Sequence, residues 1–176
     1  EINKSSIPIY ARAILSDVVR YMLEFSNEPN LVDLINMRVQ QHKYQFFNAP
    51  IDEICGTLKL SNYSKYIIDD TKDVLVAMKG TPFQVRAAGN YNVIRNTKRL
   101  PGDKLYTGKI KWYHMRRLQG SKKDEYFAYP AGKYPKWADT YAPVARDIQF
   151  QQMVLDPLNR IITAVGLPEL RIDGSK

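Results

Sequence analysis

The spacing of the apolar residues changes period partway along the chain, and that change restricts the fold more than any other feature of the sequence. Ala11, Ile14, Leu15, Val18, Val19, Met22 and Leu23 recur at three- and four-residue intervals, the repeat of an amphipathic helix. Ser5 or Ser6 can cap it, and Pro8 fits its first turn. A second helix is predicted from about Pro29, capped by Asn27, with Leu31, Leu34, Ile35 and Val39 inward and His42 at its end. The short connection makes the two an antiparallel pair. Lys109 to Arg116 alternates instead with a period of two. It places Ile110, Trp112 and His114 on one face of a strand, and Lys109, Lys111 and Tyr113 on the other. A polar turn, Gln119 to Asp124, and a second strand, Tyr126 to Tyr129, complete a small hairpin. A chain carrying both periods is α+β, here mainly helical, with antiparallel helices plus a small antiparallel β-hairpin.

The remaining segments are less regular. Pro50 to Asp73 reads as a loop with Gly56 as a stop, and its Leu58 to Tyr66 portion mixes Lys, Ser, Asn and Tyr, the groups that hold phosphates without reading sequence. Thr81 and Pro82 start a helix through Phe83, Val85, Tyr91 and Ile94 toward Thr97, with Gly89 as its weak point and Arg86, Asn90 and Arg95 on its polar side. The last helix, Ile148 to Val165, turns Val154, Leu155, Leu158, Ile161, Ile162 and Val165 inward, with Pro157 kinking it and Gly166 ending it. With 44% apolar residues in 176, one compact domain with its own core is expected. It divides into 1–8, a helical part 9–97, a basic loop and hairpin 98–132, and C-terminal helices 133–176.

The net charge of +8 points to polyanionic partners, and its distribution sharpens that expectation. Residues 95–123 hold ten basic side chains and one acidic, while 1–94 are balanced at ten each and 124–176 hold six and seven. Aromatics interrupt the basic run, unlike a plain solvated face. Several chemistries are unsupported. The adjacent acids Asp52-Glu53 and Asp69-Asp70 are expected to be exposed rather than metal-binding, His42 has no orienting partner in its vicinity, and lone Cys55 has no catalytic companions. No cofactor is expected in the chain itself. One cysteine suits a reducing compartment, and no apolar run reaches the roughly 18 residues of a membrane span, so a cytoplasmic protein with no membrane partner is expected. Opening on Glu1 rather than Met suggests a chain cut from something longer.

Read in order, these blocks resemble the C-terminal thumb region of family B DNA polymerases, closest to those of T-even-like phages. Lys4-Ser5-Ser6-Ile7-Pro8 is similar to the stretch where the palm hands over to the thumb. Asn62 with Lys65-Tyr66 resembles the family's Asn-x-x-Lys-Tyr loop, and Pro82 to Arg86 followed by Tyr91-Asn92 its Pro-Phe-x-Ile-Arg helix with a Tyr-Asn pair. Lys109 to Met115 and Phe127 to Gly132 resemble its late hairpin, and Asp156-Pro157-Leu158 stands where the family has Lys-Pro-Leu. The resemblance implies a polymerase-thumb-like, non-catalytic domain or split subunit that grips the primer-template duplex and supports processive replication. Its partners would be double-stranded primer-template DNA and the palm, fingers and exonuclease portion of a polymerase, which holds the catalytic Mg2+. If phage-encoded, it would work in the host cytoplasm.

On that reading Lys4, Asn62, Lys65, Tyr66, Arg86, Tyr91 and Asn92 carry the motif. Ser61 joins them from the loop, and Arg99, Lys109 and Lys111 from the basic stretch. Val93 follows Tyr-Asn where the family often has Arg, which shifts phosphate contact to Arg95 or Lys98. The final residues Arg171 to Lys176 lack the aromatic peptide that docks on a sliding clamp, so clamp contact is unsupported. Two other readings compete. One is an RNA- or single-strand-binding module stacking bases on Tyr106, Trp112, Tyr113 and Tyr126, and the other is a basic interface to an acidic partner subunit.

Overall fold

The computed structural model describes residues 7–116 and 125–172. Lys4, the candidate cap serines Ser5 and Ser6, and the whole Gln119 to Asp124 turn lie outside the described residues, as does the end of the chain. The protein is α+β, as its two periods require, but it divides into two compact units rather than one. The first unit comprises residues up to Ile54 together with those from Arg146 onward; the second is Cys55–Ala145.

In the first unit, helix α1 spans Ile9–Glu24 and buries Ala11, Ile14, Val18 and Met22. Leu23, at the edge of the predicted stripe, is exposed. Helix α2, Leu31–Asn48, starts after Asn30 rather than Asn27 and runs past His42, because Lys43 and Phe46 extend the buried row of Ile35 and Val39. A lysine in that row hides the continuation from a polarity pattern. Its stem is buried and its ammonium lies 5.5 Å from the Phe47 ring centre. Tyr10 packs on Phe46 while Asp17 reaches Arg38, so the two helices are antiparallel as expected. The one-turn helix α3, Ile51–Ile54, closes this part.

The second unit contains β1 (Gly56–Leu60), α4 (Tyr63–Tyr66), β2 (Ile67–Asp69), β3 (Val76–Ala77), α5 (Phe83–Thr97), β4 (Gly108–Met115), β5 (Glu125–Pro130) and α6 (Ala138–Tyr141). The predicted hairpin is the β4–β5 pair of a three-stranded antiparallel sheet ordered β1-β4-β5, and β2 pairs with β3 in a separate ribbon. The third strand comes from the segment read as a loop. Gly56, expected to be a stop, opens β1 opposite Trp112, and a Cβ there would lie 2.3 Å from the indole. Only glycine lets that ring cross the strand.

Helix α5 runs beside β5 in the same direction. Arg86 meets Glu125, Asn90 donates to the Tyr126 carbonyl at 2.8 Å, and Tyr91 packs on Phe127. Gly89 is a point of close packing rather than a weak point, since a Cβ would come within 2.6 Å of the Leu75 side chain. Thr81 donates back to the Met78 carbonyl instead of capping. Phe83, Trp112 and Tyr126 cluster against one sheet face. On the other, Tyr113 alternates with Lys109 and Lys111 as predicted, yet it is fully enclosed with Phe127 and Tyr129.

The chain returns to the first unit through α7 (Arg146–Phe150), a π-helical segment Gln151–Leu155, and α8 (Asp156–Ala164). A wider π turn lies just before Pro157 and accommodates a residue that has no amide proton to donate. Ile161 and Val165, expected inward, are exposed, whereas Val154, Leu155, Leu158 and Ile162 are buried. Gly166 ends the helix at φ +86°, as expected. Arg146 donates to the carbonyls of Phe46 and Ala49 at 3.0 and 2.7 Å, satisfying the end of α2. No described helix is long and apolar enough to cross a membrane.

Candidate nucleic-acid interface

The two units differ in charge. Cys55–Ala145 carries seventeen basic and seven acidic residues, and the rest of the chain nine and eleven, so +10 and −2 make up the total of +8. Within the second unit the β1–β4 register sets Lys59 directly opposite Lys109, with Lys111 two residues further along the same face. Lys59 and Lys109 are exposed, and neither has an ion-pair partner among the described residues. Like charges facing each other across strands are destabilising, and an anion placed between them removes the penalty.

Leu60, the last residue of β1, pairs with Gly108, so Ser61 and Asn62 adjoin Lys109. Asn62 takes a left-handed conformation at φ 61°, which asparagine tolerates, and turns the chain into α4. There Lys65 is exposed, with its ammonium 5.4 Å from the centre of the half-buried Tyr66 ring. Of the predicted residues, Ser61, Asn62 and Lys109 lie at one end of the sheet, Lys111 follows two residues further into β4, and Lys65 sits one helical turn beyond Asn62. Lys59, which lies in the predicted phosphate-holding segment but carries no individual signal there, stands opposite Lys109. The alternation of its strand was present in Thr57-Leu58-Lys59-Leu60, but too short to be separated from a loop.

The end of α5 contributes two more cations. Leu100 donates to the Arg95 carbonyl at 2.9 Å and Arg99 to that of Asn96 at 3.4 Å, a helix end that ordinarily has glycine at the Arg99 position. Arg99 is held at φ 53°, exposed, and strained for a residue with a Cβ. Lys98 is exposed, 5.8 Å from the Tyr141 ring centre. Because α5 and β5 run together, this end lies toward Pro130, the partner of Ile110, and so toward the Lys109 end of β4.

No protein-family model matches the chain, and no curated protein matches it.

Four of the predicted contacts are placed otherwise. Arg86 is bound to Glu125 at 3.3 Å, and Glu125 faces Met115, six residues along β4 from Lys109 and so about 20 Å away. Asn92 has no exposure at all. Its amide donates to the Leu105 carbonyl at 2.7 Å and to the Tyr63 hydroxyl at 2.8 Å, and its oxygen accepts the Leu105 amide at 2.8 Å. Its hydrogen-bonding capacity is spent inside the core, which corrects its assignment to phosphate. Tyr91 is 3% exposed. Arg95 donates to the Gly102 carbonyl at 2.9 Å and to Asn96, holding the turn after α5 rather than reaching outward.

Asp52 and Glu53 are exposed as expected, but Asp70 is not. Asp70 is buried, accepts the Tyr63 hydroxyl at 2.8 Å and pairs with Lys104 at 3.6 Å. Burial, reinforced by that bond, raises the Tyr63 phenol well above its ordinary range. His42 does have an orienting partner. Asp17, from α1, takes both prongs of Arg38 at 2.9 Å and the His42 Nε2 proton at 2.5 Å. Among the described residues no group of three or more His, Cys, Asp or Glu could hold a metal ion. The stacking platform is not assembled either. Trp112 and Tyr113 are core residues and Tyr126 is half-buried, which leaves Tyr106 as the open ring of the four.

Proposed function

We propose that this chain is a polymerase-thumb-like, non-catalytic domain or subunit of a DNA-directed DNA polymerase, which grips the sugar-phosphate backbone of the primer-template duplex and supports processive synthesis. The observation that carries this reading is the pair of exposed, unneutralised lysines, Lys59 and Lys109, opposed across β1 and β4 in the unit that holds the whole basic excess. Ser61, Asn62, Lys65, Lys98 and Arg99 extend the surface with groups that fix a backbone without reading bases. The catalytic Mg2+ would sit in the palm portion that this chain serves, in the cytoplasm where replication proceeds.

Anisotropy titration of a labelled recessed primer-template across salt concentrations tests the reading. With about four to six phosphates engaged, the log-log slope should be roughly −4 to −5, and the duplex should outcompete a single strand of equal length. Lys59→Glu with Lys109→Glu should flatten the slope by about two and weaken binding at low salt. No duplex binding at about 50 mM salt, or a slope near zero, would sink the proposal. Preference for the single strand would point to the competing module.

A further inference from the structure

The second unit also holds a groove of about 640 Å³ on the Pro130 side, within the size range of small-ligand sites. Tyr91 and Trp137 line it, and Lys104, Lys133 and Lys136 stand around it with Asp103 as the acid among them. Tyr91 is 3% exposed, and its hydroxyl makes no hydrogen bond among the described residues. Burial raises the phenol above its ordinary range, so it keeps its proton as a donor. Tyr91 lines the groove and its hydroxyl is not an enclosed, unpaired atom, so it is open to a partner there.

Trp137 is fixed in place by three contacts. Its Nε1 donates to the Pro101 carbonyl at 3.2 Å, its ring packs on Tyr91 with centroids 5.3 Å apart, and it meets Phe127 edge-on at 5.9 Å. Part of the indole stays open. Lys133 and Lys136 are exposed and have no ion-pair partner among the described residues, while Lys104 is drawn toward Asp70. A rigid aromatic surface, a neutral donor open to the groove and two uncommitted ammonium groups together suit a planar ring that bears an acceptor and a phosphate.

We infer that this groove binds a nucleoside phosphate, with its base against Trp137, a base or sugar oxygen accepting from Tyr91, and its phosphate at Lys133 and Lys136. The ligand is either a free nucleotide or an unpaired nucleotide of a strand, since both present the same chemistry. The site does not rest on the duplex reading, and a failure to bind duplex would leave it standing.

Titrating the whole chain with AMP while following tryptophan emission tests it, because Trp112 is buried and quenching reports Trp137. Saturable quenching is expected. Tyr91→Phe, which keeps the ring packing, should weaken it by about tenfold, the worth of one hydrogen bond. Lys133→Glu with Lys136→Glu, both at exposed positions, should abolish it. Inorganic phosphate alone should compete only at concentrations at least about tenfold higher than AMP. A 5′-phosphorylated thymidine dinucleotide that binds more tightly than AMP would identify a strand as the source, and one that binds more weakly a free nucleotide. Absence of saturation by about 10 mM AMP, wild-type binding in both variants, or phosphate competing as well as AMP would each overturn the assignment.

Discussion

Asp17 organises one side of the first unit by accepting three hydrogen bonds at once, two from Arg38 and one from His42. The Arg38 bonds are the largest cause holding its carboxyl well below the usual carboxylate range. A group whose folded pKa lies below its unfolded one stabilises above the ordinary range, near pH 4, and loses that contribution as pH falls further. Asp17→Asn should therefore cost about 1 kcal/mol in urea unfolding at pH 7, a modest figure because the pair is partly solvated. Below about pH 4 the variant should lose less stability with each further drop than the parent does. Parallel acid limbs would mean that Asp17 does not couple folding to protons. Two asparagines show how differently one residue type can be used. Asn92 brackets the main chain of Leu105, and Asn159 does the same for Leu170, donating to its carbonyl at 3.3 Å and accepting its amide at 2.8 Å. In each case one side chain substitutes for a strand partner.

The elements end in ways that bear on function. Helix α8 stops at a glycine, but α5 stops with Arg99 in the left-handed region, where a side chain costs about 1 kcal/mol relative to glycine. Strain of this kind persists where the side chain has work to do. Arg99→Gly should raise the thermal midpoint, by about 1 kcal/mol of stability, and at the same time weaken duplex binding and flatten its salt slope by about one. Opposite signs in the two assays are the expected signature. If binding were unchanged while stability rose, Arg99 would lie off the duplex path.

Charge is a property of the whole molecule, and here it is split between the units. On the proposed reading, the excess of +10 in Cys55–Ala145 against −2 elsewhere would place duplex binding in the second unit. Arg12 and Arg20 are exposed on α1 in the first unit. Replacing both by Gln lowers the net charge by as much as neutralising Lys59 and Lys109 would. The Arg12→Gln, Arg20→Gln variant should nevertheless keep the wild-type salt slope for duplex binding, whereas Lys59→Gln with Lys109→Gln should lose about two. Equal losses would assign the effect to overall charge rather than to a built surface.

Local spacing was enough to reveal the α1 and α2 pair, the α5 helix, the alternation of β4 and the Gly166 stop, because each depends on residues within a few positions of one another. The basic stretch was equally plain, as charge needs no fold to be counted. Strand β1 was not, since five residues acquire strand character only by pairing with β4 some fifty positions later, and that pairing is what sets Lys59 against Lys109. Burial of polar groups was hidden for the same reason. Asn92, Asp70 and Lys43 look like surface residues in any window, and only the chain packed around them supplies the partners that make their burial tolerable. Period and composition thus set which elements form and where positive charge lies, while long-range pairing determined which of those side chains face water.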